Sequence, residues 1–64
     1  MIMKRRELEK AIAKIAKKRG LQAVYTEGGN HTKVQIGSDV SFIPRHKEIR
    51  EQLARAILDT LRGE

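Results

Sequence analysis

The sequence predicts an α+β domain in which two helices cover one face of a three-stranded antiparallel sheet. Three observations carry that expectation. Apolar side chains recur at helical spacing across residues 4–19. Residues 31–36 alternate between apolar or neutral side chains and polar ones, the period of a half-buried strand. After Pro44, helical spacing returns over residues 47–62.

In the first helix, Leu8, Ala11, Ile12, Ile15 and Ala16 form one stripe. Lys17, Lys18 and Arg19 sit where the helix dipole ends negative, and Gly20 supplies a left-handed cap. On the opposite side, Arg6, Lys10, Lys14 and Lys17 fall at steps of three and four residues. Like charges at that spacing cost about 0.2–0.5 kcal/mol a pair. The row is therefore either an ordinary solvated face or a stripe that meets phosphate.

Residues Leu21–Glu27 alternate as a first strand. Gly28, Gly29 and Asn30 follow as a turn expected to use positive backbone angles and to reverse the chain as a hairpin. In the second strand, His31–Ile36, Thr32, Val34 and Ile36 take the core face, and His31, Lys33 and Gln35 the other. A short turn at Gly37–Asp39 leads to a third strand, Val40–Ile43, with Val40 and Phe42 assigned to the core. Pro44 has no backbone N–H and ends that strand. Arg45 and His46 then enter the second helix, whose buried face is read as Ile49, Leu53, Ala56, Ile57 and Thr60. Glu51 and Arg55 form a favourable pair four residues apart. Ala54, Leu58 and Leu61 fall beside that stripe, as scattered surface residues or as an apolar patch for another subunit. Gly63 marks the helix end. With no repeat, linker or low-complexity tract, residues 1–64 read as one domain.

Composition narrows the function classes. A chain of 64 residues buries only about 60% of its unfolded surface. It has no cysteine, which excludes a disulfide framework and a thiolate zinc site and fits a reducing cytoplasm. No apolar run approaches the roughly 20 residues that span a bilayer, and the charged N-terminus lacks the apolar segment of a signal peptide. A cytoplasmic protein without a membrane association is expected. Fourteen Lys and Arg against eight Asp and Glu leave a net charge of +6, which points to an anionic partner. Tyr25 and Phe42 are the only aromatics, which argues against a base-stacking platform of the kind that binds single strands.

Helix, three strands, helix is the order of double-stranded-RNA-binding domains, a layout that offers a basic surface to a wide minor groove. Fold alone does not fix function. His31 stands on a rigid strand just after the Gly28-Gly29-Asn30 turn, on the polar face, beside Lys33. That placement suits proton transfer near a phosphate, and it equally suits a polar residue that merely ends a turn. Arg45 and His46 also allow two roles. His46 satisfies a free amide at the start of the second helix, or the pair binds phosphate. A zinc site from His31 and His46 lacks the cysteine or carboxylate that completes a tetrahedral set, so neither metal nor cofactor is expected.

A basic first helix, Gly29-Asn30-His31 opening a strand, Ile43 through Ile49 with Pro44-Arg45-His46, and a helix containing Arg55-Ala56-Ile57-Leu58 recur together over nearly the whole chain. In these features the sequence resembles the HicA toxins of bacterial type II toxin–antitoxin modules. The resemblance implies a double-stranded-RNA-binding-like fold, cleavage of messenger RNA and neutralisation by a HicB-like antitoxin. It places the catalytic histidine at His31. Family members often carry serine or lysine at the position of Asn30, and some a second histidine at that of Thr32. Ribonuclease activity is implied by the resemblance alone. Given such activity, His31 acts as general acid or base; this chain's own residues then suggest Lys33 to stabilise charge on phosphorus and Arg45, His46, Lys10 and Lys14 to hold RNA, with cleavage expected to need no metal. Two other classes fit the same charge: a non-catalytic double-stranded-RNA-binding module, and a domain that binds an acidic protein. In the toxin reading the antitoxin covers His31 and takes the flank of Ala54, Leu58 and Leu61 as a second contact.

Overall fold

The computed structural model describes residues 2–63; the two end positions of the expected 1–64 domain lie outside the described residues. The chain runs β1 (Ile2–Lys4), α1 (Arg5–Lys18), β2 (Ala23–Glu27), β3 (His31–Ile36), β4 (Asp39–Pro44), β5 (Glu48–Arg50) and α2 (Glu51–Arg62). β2, β3 and β4 form the expected antiparallel sheet in that order. Both helices lie on one face of it. Leu8, Ile12 and Ala16 of α1 and Ala54, Ile57, Leu58 and Leu61 of α2 share one buried cluster with Val34, Ile36, Ile43 and Ile49. The fold is thus the α+β helix–sheet–helix arrangement that the periodicities predict, with one addition. β1 and β5 pair as a second, two-stranded antiparallel ribbon that sets Lys4 opposite Glu48 and Met3 opposite Ile49.

The end of α1 follows from Gly20. At φ +70° it takes the left-handed turn expected of it. Leu21 then donates its N–H to the Ala16 carbonyl at 2.8 Å, and Gly20 donates to Lys17 at 3.1 Å. These two bonds make a complete Schellman cap.

The β3–β4 hairpin corrects the phase assigned to the third strand. Only Gly37 and Ser38 separate the two strands, with Gly37 at φ +62° as a primed turn requires. So short a turn fixes the register: Ile36 stands opposite Asp39, Val34 opposite Ser41 and Thr32 opposite Ile43. Opposed residues share a face, so Ile43 enters the core and Val40 and Phe42 turn outward. Ile43 is fully buried, whereas Phe42 is 57% exposed. The polar Asp39 on the inner side is met by Arg19, which lies 3.0 Å from its carboxylate and donates to the Leu61 carbonyl at 2.6 Å.

The second helix is corrected in both start and phase. Its first turn begins at Glu51 rather than near residue 47, because Ile49 is extended and paired with Met3. With Ile49 in a strand, the helical stripe no longer has to pass through it. The set 54, 57, 58 and 61 follows the i, i+3, i+4, i+7 rule with apolar residues only, and it is this set that is buried. Leu53 is 42% exposed, and Ala56 and Thr60 also face solvent. Ala54, Leu58 and Leu61 are core, so they offer no flank to an antitoxin. Arg50 precedes the helix with no side-chain cap bond, and His46 lies exposed before β5, so it does not cap α2.

The turn between β2 and β3 also differs from expectation. Neither Gly28 nor Gly29 has a positive φ. Gly28 sits in a tight place instead. Its N–H donates to the His31 carbonyl at 3.0 Å, and a Cβ there would stand 3.2 Å from that same oxygen.

Candidate functional site

The inner face of β3 is buried at Thr32, Val34 and Ile36, which holds the strand rigidly and turns His31 and Lys33 to the solvent side. Both line one open hollow of 320 Å³, together with Thr26, Glu27, Phe42 and the Gly28-Gly29-Asn30 turn. Lys33 stands between Thr26 and Phe42 across the sheet, and His31 pairs with Pro44. The structure therefore gathers five of the sequence-predicted site residues, His31, Lys33, Gly28, Gly29 and Asn30, around one space.

Behind the hollow, a chain of charge-assisted hydrogen bonds anchors the turn. Thr32, 1% exposed, donates its hydroxyl to the Glu27 carboxylate at 2.6 Å and accepts from Arg5 at 2.9 Å. Arg5 in turn pairs with Glu9 at 3.2 Å on the next turn of α1. Arg45 closes the other side, donating to the carbonyls of Gly28 at 3.3 Å and Gly29 at 3.2 Å, with Glu27 at 3.7 Å from its guanidinium. Arg45 thus holds the turn that precedes His31. Half of its side chain stays exposed, which leaves guanidinium surface for an anion.

A second hollow, of 460 Å³, adjoins through Arg45. Lys4, Arg5, Arg6, His46 and Lys47 complete its lining. The β1–β5 ribbon builds it: antiparallel pairing, extended by the Arg5 N–H bond to the Lys47 carbonyl at 2.8 Å, sets residues 4–6 beside residues 45–47. Five cations and an imidazole line one open space; Arg5 already meets Glu9 and Arg45 meets Glu27, and the net positive charge of the lining attracts an anion. Arg6 also begins the exposed row that continues along α1 through Lys10, Lys14 and Lys17, so basic surface runs from the hollow onto the helix. Lys10 and Lys14 belong to that row and do not line the His31 hollow. His46 lines the basic hollow but not the His31 hollow, and among the described residues no three His, Cys, Asp or Glu side chains gather as metal ligands.

Tyr25 reports on the anchor. Partial burial of its ring and the nearby Glu9 carboxylate raise the phenol above its ordinary value of 10.0, while Arg5 pulls the other way. The folded state therefore favours the neutral phenol. Its contribution to stability is present below the ordinary tyrosine value and is lost as pH rises through the folded one. With one tyrosine and no tryptophan, the phenolate absorbance band reads this group alone. Alkaline titration is expected to give a midpoint above that of free tyrosine. Glu9→Gln should lower that midpoint, by removing a like charge and freeing Arg5; an unchanged midpoint would show that Glu9 does not act on the phenol.

Sequence reasoning missed Glu27, Phe42, Lys4 and Lys47. Glu27 and Phe42 gave no periodic signal as site residues. The two basic triplets, Lys4-Arg5-Arg6 and Arg45-His46-Lys47, were visible, but only the unpredicted ribbon makes them neighbours. No helix among the described residues is long and apolar enough to cross a membrane. Comparisons with protein families, curated proteins and solved structures return no match for this chain.

Proposed function

We propose that this protein is a HicA-like toxin, a ribonuclease that cleaves messenger RNA in the cytoplasm and is neutralised by a HicB-like antitoxin. The observation that carries the reading is the joint placement of His31 and Lys33 in one open hollow, next to a hollow lined by five cations. RNA brings its own nucleophile. The ribose 2′ oxygen attacks phosphorus, its proton leaves, the bond to the 5′ oxygen breaks, and that oxygen takes up a proton. Imidazole can accept the first proton or supply the second, and His31 is held on the solvent face of a strand whose other face is buried. Lys33 stabilises the negative charge that builds on the phosphoryl oxygens. Lys4, Arg6, Arg45, His46 and Lys47 bind the flanking phosphates, and Lys10 and Lys14 extend that contact along α1. The antitoxin inhibits by covering the His31 hollow, where acidic side chains would complement Lys33.

These roles need no metal. The purified protein is expected to cut single-stranded RNA in excess EDTA and to leave 2′,3′-cyclic phosphate and 5′-hydroxyl ends. An absolute requirement for magnesium, or 3′-hydroxyl products, would overturn the mechanism.

A further inference from the structure

Among the described residues, Phe42 is the one large apolar side chain lining the hollow of His31 and Lys33, and it is 57% exposed. The two-residue turn at Gly37–Ser38 puts it there, by setting the register that turns it out of the core. It stands directly across from Lys33 and diagonal to His31, a neighbour relation of roughly 7–8 Å on an antiparallel sheet. The hollow thus joins an uncovered aromatic face to an ammonium and an imidazole. A ligand that carries a flat π system and a negative charge about one ring's width apart meets all three, and that is the make-up of a nucleotide. Acidic side chains alone satisfy the cation but not the phenyl face.

We propose that Phe42 is the surface on which one base of the bound RNA stacks, and that this stacking sets the adjoining phosphodiester against His31 and Lys33. The inference rests on the ribonuclease reading and adds a substrate-positioning residue to it. Two aromatics cannot build an extended platform, but one exposed ring suffices for one base, and such stacking tolerates any base because each has a π face. Phe42 takes no part in proton transfer. Its effect is on where the sugar and phosphate lie.

The test uses the full chain carrying His31→Ala, so that RNA is bound without being cut, and short single-stranded RNAs containing 2-aminopurine or one abasic position. Adding Phe42→Ala is expected to weaken binding about 5- to 150-fold and to abolish quenching of the 2-aminopurine. Removing the stacked base should cost the parent protein a similar factor and the Phe42→Ala protein almost nothing. Phe42→Trp should restore both affinity and quenching, whereas Phe42→Leu, apolar but without a π face, should not restore quenching. Circular dichroism should be the same in all variants, because the ring lies outside the core. If Phe42→Ala binds within about twofold of the parent and quenches equally, stacking is overturned while the ribonuclease reading stands on the cleavage by wild type. If wild type neither binds nor cuts RNA, both fall together.

Discussion

Substituting His31 with alanine is expected to lower RNA cleavage by roughly 10²–10⁴-fold, the usual loss when a positioned acid or base is removed. RNA affinity should change little. His31 is one exposed group next to a hollow lined by five cations, and on the proposed ribonuclease reading those cations would carry the electrostatic part of binding. Folding should also survive, since exposed substitutions away from caps and networks stay within about 0.5 kcal/mol. Matched bacterial cultures give the decisive contrast. Wild type should arrest growth with loss of messenger RNA, and His31→Ala should do neither at equal abundance. Equal arrest by both would make the basic surface harmful through binding alone and would remove the catalytic assignment. Arrest by neither would favour a non-catalytic RNA-binding module, which the fold and the +6 charge accommodate equally well.

How much of this was legible in the sequence depends on what sets each element's phase. β3 was readable because its alternation is strict and one side is buried along its length, so Thr32, Val34 and Ile36 face inward as periodicity requires. β4 has hydrophobic residues of both parities, and pattern alone favoured Val40 and Phe42. The two-residue turn decided otherwise by carrying the parity of Ile36 onto Asp39 and hence onto Ile43. Ile49 misled in a similar way. A β-branched residue just ahead of a helix looks like its first core position, yet it is extended and bonded to β1, a strand too short to show a period. His31 and Lys33 were found because local alternation put them together. The basic hollow was not, because residues some forty positions apart meet only through that ribbon. Arg45 was expected to meet RNA. The structure shows it in a structural task, gripping the carbonyls of the turn that presents His31.

The corrected phase of α2 carries the second large prediction. Leu61 is fully buried against the sheet and α1, and its carbonyl accepts from Arg19. Leu61→Ala removes three carbons from a site that cannot collapse freely, a change that costs about 2–5 kcal/mol. A domain of this size holds only roughly 3–10 kcal/mol in all, at about 0.05–0.15 kcal/mol per residue. The loss is therefore a large share of the total, and the denaturant midpoint should fall steeply. Leu53 is the control. It lies on the same helix and has the same side chain, but it is 42% exposed, so Leu53→Ala should cost less than about 1 kcal/mol. A helix whose buried stripe ran through 49, 53, 56, 57 and 60 would give the opposite order, with Leu53→Ala the damaging change. Urea melts of the two variants distinguish these phases without reference to function. A large loss for Leu61→Ala would confirm in solution that the side of α2 that carries Leu58 and Leu61 belongs to the domain's own core.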